Sequence, residues 1–136
     1  MRERIEEHAK RLKLSWIREH YHKVNAETHE EFLLTLFEKE IQQREERKLN
    51  TLINQSRLPD ISGRQLEWHG IHMNGHITQD EIVNGEFIER KENLILYGGV
   101  GVGKTLLAAS TGWNAIQQFG QKVRFYTVAE LVNQLL

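Results

Sequence analysis

The run Gly98-Gly99-Val100-Gly101-Val102-Gly103-Lys104-Thr105 matches G-x-x-x-x-G-K-[ST], a glycine-rich turn that feeds a helix. Glycines let a backbone curl with its N–H groups turned inward. Those donors, with the positive end of the following helix, hold phosphate oxygens. Lys104 would reach the β- and γ-phosphates as a point charge, and the Thr105 hydroxyl would ligate Mg²⁺. The expected ligands are ATP and Mg²⁺, held by Gly98, Gly99, Val100, Gly101, Val102, Gly103, Lys104, Thr105 and the adjoining Leu106. A glycine turn with only a structural role does not account for Gly103-Lys104-Thr105 opening a helix.

Hydrolysis needs more than a cradle: a metal-site carboxylate, a group that positions the attacking water and usually an arginine finger. No apolar strand ending in Asp or Glu follows the loop before Leu136. Asp80-Glu81 precedes it and reads as the negative charge of a helix N-terminus. The sequence therefore carries half of an ATPase site, and no catalytic residue is assigned. His69, His72 and His76 have no fourth ligand nearby and sit among glycines, so they read as loop histidines rather than a metal site. Trp68 reads as packing for the connector, with stacking on a base as the alternative. Lys10, Arg11, Lys13, Arg18 and Lys23 could touch DNA phosphates. They are interleaved with Glu3, Glu6, Glu7 and Glu19, which favours a solvated face, and the same holds for Arg44, Arg47 and Lys48.

The elements that must position the loop can be read from periodicity. Asn93 to Tyr97 is a short apolar strand candidate before it, and Leu106 to Phe119 a helix candidate after it. That helix carries Ala108, Ala109, Ser110 and Gly112, small enough for close packing on a sheet, and Gly120 is placed to end it. Lys122 to Thr127 alternates and is rich in β formers, so it reads as a second strand. Three capping boxes mark helix starts: Thr28 with Glu31, Thr78 with Glu81, and Thr127 with Glu130. The first opens one helix of about 28 residues ending before Pro59. Its apolar stripe, Phe32, Leu33, Leu36, Phe37 and Ile41, gives way to a polar middle from Gln42 to Lys48. Such a middle bridges two contacts or meets a partner. Residues 3–24 read as a single amphipathic helix, and the second capping box opens a helix through Arg90. The expected organisation is a helical DNA- or partner-facing segment at 1–58, a connector at 59–76 and a phosphate-loop domain at 77–136.

Composition sets the outer bounds. The chain has 136 residues, a net charge of −1 and no cysteine, which excludes a disulfide framework and thiolate metal sites. No run of apolar residues is long enough to span a membrane, and the N-terminus has no signal-peptide core. The expected location is the cytoplasm.

The stretch Gly85 to Gly98, running into Gly101-Val102-Gly103-Lys104-Thr105, resembles the IstB-like ATP-binding proteins, AAA+ helpers of insertion-sequence transposases related to DnaC-type helicase loaders. Gly120 to Tyr126, followed by Ala129-Glu130-Leu131-Val132, resembles them too, and the helical N-terminus does so more diffusely. The family usually has Pro at the position of Gly99 and His at that of Leu106; neither position carries phosphate chemistry. The resemblance implies an α/β fold: an N-terminal helical segment, then the first part of a P-loop AAA+ core with a parallel sheet, incomplete here. In the family's strand order two further strands lie between the loop strand and the next. The resemblance also implies a helper of DNA transposition whose partners are double-stranded DNA and a transposase, with self-association into AAA+ oligomers and no membrane. The Walker B strand, sensors and trans-acting arginine lie beyond the residues present, so the expectation is a truncated chain that binds ATP without hydrolysing it alone. A helicase-loader fragment, a P-loop phosphotransferase and an inert remnant of a mobile element remain as alternatives.

Overall fold

A computed structural model describes residues 1–73, 75–101 and 103–136, which fall into two compact units, Met1–Lys48 and Leu49–Leu136. The first unit contains α1 (Arg2–Arg11), α2 (Ser15–His20), a 3-10 turn (Tyr21–Lys23) and the larger part of α3 (His29–Ser56). Its core includes Ala9, Ile17 and Leu36. The periodicity over 3–24 predicted one helix, and the structure breaks it in two. Lys13 adopts φ 58, the Leu14 N–H reaches the Ala9 carbonyl at 2.8 Å, and the Lys13 N–H reaches Lys10 at 3.0 Å. This is a Schellman ending with lysine where glycine usually stands, so no sequence signal announced it. The left-handed backbone costs a non-glycine residue about 1–2 kcal/mol.

α3 has the expected length of 28 residues and stops before Pro59. At its start the Glu31 N–H donates to Thr28 Oγ1 at 3.1 Å, while the Glu31 carboxylate reaches the N–H of Glu27 at 3.0 Å, one residue further back than a standard capping box. The polar middle of α3 holds the turn between α1 and α2. Glu40, 4% exposed, accepts from the Ile17 N–H at 3.0 Å. Arg44 donates to the Lys13 carbonyl at 2.9 Å, and Arg47 to Ser15 Oγ at 3.0 Å. Ser15 Oγ itself donates to Gln43 at 3.1 Å. The carboxylate of Glu40 thus satisfies an orphan donor in the first turn of α2, a helix with no side-chain cap of its own.

The second unit takes up the end of α3, then α4 (Gln79–Val83), α5 (Glu86–Glu89), α6 (Lys104–Phe119) and α7 (Val128–Leu135). The single helix expected from Thr78 through Arg90 is interrupted at Gly85, which takes φ 68 between α4 and α5. Leu52, Ile82, Leu107, Ala109, Ala115 and Ile116 are buried. Large side chains such as Ile82 and Ile116, at 2% and 0% exposure, each stabilise by about 1.5–3 kcal/mol. Two side chains of α6 tie it to its surroundings: Trp113 Nε1 donates to the Pro59 carbonyl at 3.2 Å and Asn114 Nδ2 to the Val83 carbonyl at 2.7 Å. α6 ends as expected at Gly120, whose N–H reaches the Ile116 carbonyl at 3.0 Å.

The α/β fold with a parallel sheet is not observed. Among the described residues there is no strand and no sheet; both strand candidates, 93–97 and 122–127, are irregular. Each keeps the alternation that suggested a strand. Ile95 and Tyr97 are 80% exposed while Leu94 and Leu96 are half-buried, and Val123 and Phe125 are half-buried between exposed Lys122 and Arg124. Alternation is local, but a strand exists only through a ladder partner. The backbone of the second segment goes elsewhere. The Phe125 N–H donates to the Ser56 carbonyl at 2.7 Å and Arg124 Nη1 to the Gln55 carbonyl at 2.6 Å. Both carbonyls are orphans at the C-terminus of α3. The small face of α6 likewise packs on side chains rather than on a sheet: a Cβ at Gly112 would lie 3.0 Å from Leu58 and 3.3 Å from Val123.

Candidate functional site

The loop at 98–105 lies in the second unit and ends at the N-terminus of α6. The first N–H groups of a helix have no intrahelical partner, and the peptide dipoles leave partial positive charge there. How a chain treats that end decides whether it can receive an anion. In α4 and α7 the end is filled locally. Thr78 and Glu81 complete a reciprocal capping box, and Thr127 and Glu130 do the same with bonds of 2.8 and 3.2 Å. Backbone and side-chain hydrogen bonds from Thr127 hold the Glu130 carboxyl below the usual carboxylate range. α6 is built differently. Its cap residue is Gly103 at φ 92, it has no side-chain cap, and no acidic residue lies in its first turn. Among these three helices, α6 alone presents an N-terminus without a carboxylate of its own.

Gly101 and Gly103 both sit in the left-handed region, at φ 82 and 92, where side chains are strained. A Cβ at either would meet nothing within 4 Å, so these positions open onto space. Lys104 begins α6 and folds back over the loop. Its Nζ donates to the Gly98 carbonyl at 2.8 Å and the Gly99 carbonyl at 2.5 Å. Val100 and Thr105 are exposed, and Leu106 is half-buried. Val102, also a candidate, lies outside the described residues. Gly98, Gly99, Gly101, Gly103 and Lys104 are thus gathered in one turn around the start of α6, with Thr105 on its first turn.

A cleft of about 330 Å³ opens beside the loop, lined by Ile71, His72, Ile95, Tyr97, Gly98 and Lys104 among others. A second, of about 310 Å³, is lined by Gln65, Glu67, His69, Gly101 and Leu106, and Gly70, Ile71 and Gly103 border both. The connector therefore supplies a wall of the site. Sequence reasoning assigned it no role, because its glycine-interrupted residues carry no period and only long-range folding brings them to the loop. His72 lines the first cleft, and His69, which lines the second, also makes an exposed 3.8 Å pair with Glu67. Among the described residues no three His, Cys, Asp or Glu side chains gather as a metal-binding group.

The basic residues weighed for DNA divide in two. Arg44 and Arg47 are engaged with the turn between α1 and α2, as described above. Lys10, Arg11, Lys13, Lys23 and Lys48 are exposed, and Arg18 pairs with Glu19 at 3.4 Å. No described helix is long and apolar enough to cross a membrane.

Comparison with known proteins bears on this arrangement. The family model described as IstB-like ATP binding protein matches residues 8–136. The insertion sequence IS5376 putative ATP-binding protein of Geobacillus stearothermophilus is 37% identical over 99% of this chain and 56% of its own length. The insertion sequence IS21 putative ATP-binding protein of Pseudomonas aeruginosa is 33% identical over 78% of this chain and 40% of its own length. The chain thus spans about half the length of these curated relatives. A glycine-rich loop opening a helix without a carboxylate cap, in a chain matched almost throughout by the family model, has one consistent assignment: the chain belongs to the IstB-like ATP-binding protein family.

Proposed function

We propose that this chain binds ATP through residues 98–106 and serves as the ATP-binding part of a helper of insertion-sequence transposition. The observation that carries the reading is the N-terminus of α6, with its glycine cap and Lys104 reaching across the loop. The residues fit a nucleotide triphosphate. Open space lies over Gly101 and Gly103, the first turn of α6 carries no acidic residue and no side-chain cap, and the Lys104 ammonium is within reach of the loop. On this reading Lys104 exchanges the carbonyls of Gly98 and Gly99 for phosphate oxygens, and Thr105, exposed on the first turn, offers its hydroxyl to Mg²⁺. Mg-ATP, when bound, would supply the negative charge that Lys104 and the N-terminus of α6 are placed to balance. The chain's own part is to bind and orient the phosphates, and no described residue is assigned to turnover.

Titration of Mg-ATP into the chain and its Lys104→Ala variant tests this reading. A charge-assisted hydrogen bond contributes about 1.5–3 kcal/mol, so the variant should bind about 10- to 150-fold more weakly. Equal affinity in the two would overturn the proposal.

Both named relatives belong to insertion sequences, which supports a role beside a transposase on double-stranded DNA, and assembly of several copies is part of the same proposal. With Arg44 and Arg47 engaged internally, a DNA contact in the first unit would fall to Lys10, Arg11, Lys13, Lys23 and Lys48. A gel shift with double-stranded DNA at low and physiological salt checks this; no shift at low salt removes DNA contact by this chain from the proposal.

A further inference from the structure

α3 carries an apolar face that its own unit does not cover. Leu33, Leu34, Phe37 and Ile41 are 49%, 58%, 52% and 56% exposed, although a neighbouring side of the helix buries Leu36 and Glu40. At 3.6 residues per turn the four share an arc of about 100°, and Leu34, Phe37 and Ile41 keep the spacing of a helix–helix seam. One border of the face is acidic. Glu31, Glu38 and Glu45 recur along it at intervals of one heptad, within an arc of about 40°, and all three are exposed. Glu31 serves the start of α3, but Glu38 and Glu45 form no ion pair among the described residues. Glu30, also exposed, adds a carboxylate at the N-terminal end of the face. Of the basic residues on this side, Arg44 is turned to the Lys13 carbonyl, and Lys48 lies about two turns beyond Ile41.

The charges decide what can cover this face. An acidic border repels DNA phosphates and anionic lipid headgroups. A second α3 running antiparallel would set the same border against itself, and one running parallel would stack Arg44 on Arg44 and Lys48 on Lys48. A helix of opposite charge has neither difficulty. Its apolar stripe fills the seam at Leu34, Phe37 and Ile41, and its basic edge lies along Glu38 and Glu45. We propose that the exposed face of α3 docks a basic amphipathic helix of another protein. Between Glu30 and Glu45 the contact is about four turns long, at the small end of specific interfaces, so the association is weak and reversible. It needs no nucleotide and does not involve the loop at 98–105, so it stands or falls separately from the ATP-binding reading.

The probe is a synthetic helix of about 21 residues with leucine at its seam positions and lysine on both borders, beside a twin with glutamate in place of every lysine. Fluorescence anisotropy reads the binding of each to the full chain without nucleotide. The lysine peptide should bind, and its glutamate twin about tenfold more weakly. Phe37→Ser should weaken the lysine peptide by about tenfold although every carboxylate remains. Glu38→Lys combined with Glu45→Lys should reverse the preference, so that the glutamate twin binds better. Circular dichroism confirms that each variant keeps its helix. No binding of the lysine peptide would overturn the proposal, and so would equal binding of the twin. Lysine-peptide binding untouched by Phe37→Ser would reduce it to general attraction between charges and overturn it too. Loss of peptide binding as the chain itself dimerises at higher concentration would assign the face to a second copy instead.

Discussion

The N-termini of α2 and α6 pose the same physical problem and are finished in opposite ways. Both end in backbone donors without intrahelical partners, and neither has a cap from its own first turn. At α2 the buried Glu40 arrives from α3 and accepts from Ile17. At α6 there is no side-chain cap and no acidic residue in the first turn, and a flexible lysine bridges two loop carbonyls instead. Filled from within, such an end is part of the scaffold; left without an acid beside a lysine and open glycines, it is suited to an external anion. The difference teaches that a helix N-terminus becomes a candidate site by what the rest of the chain withholds from it.

The largest effect expected from this contrast is at the filled end. Glu40→Ala leaves the Ile17 N–H buried without an acceptor and removes one of the partners of Arg44, 3.8 Å away. The expected loss is about 1–3 kcal/mol in urea unfolding, with Mg-ATP affinity unchanged. A fall in ATP affinity at constant fold would show that the two ends are not independent.

The contrast can also be erased. Leu106→Glu would give the first turn of α6 the carboxylate it lacks, three residues after Gly103. ATP affinity should fall about tenfold as the new charge opposes phosphate, while the thermal midpoint does not drop. Unchanged affinity in calorimetry would mean that the N-terminus of α6 does not face the phosphates.

Smaller effects belong to the locally capped helix. Thr127→Ala should cost about 1 kcal/mol of stability and leave ATP binding intact. The pH dependence follows from the same cap. Because the folded Glu130 carboxyl lies below its usual value of 4.5, its contribution is complete above that value and is lost as the pH falls through the lower folded one. Helix content of the parent chain should therefore decline in that acidic window, and the decline should be smaller in Thr127→Ala when both are followed by circular dichroism.

What the sequence determined by itself is what contacts a few residues apart decide. The capping boxes at Thr78 and Thr127, the length of α3, the end of α6 at Gly120 and the glycine turn into Lys104 all rest on bonds spanning a few positions, and each was legible. The break at Lys13 is also local but carries no glycine, so it gave no signal. The sheet was misread because alternation at 93–97 and 122–127 is local, while ladder pairing depends on distant chain. In the structure the backbone at Phe125 is taken by the C-terminus of α3. The role of Glu40, the engagement of Arg44 and Arg47, and the wall that Ile71 and His72 give the loop were likewise decided only by tertiary structure. Each joins residues more than 20 positions apart, and no spacing along the chain encodes which distant donor will meet which acceptor.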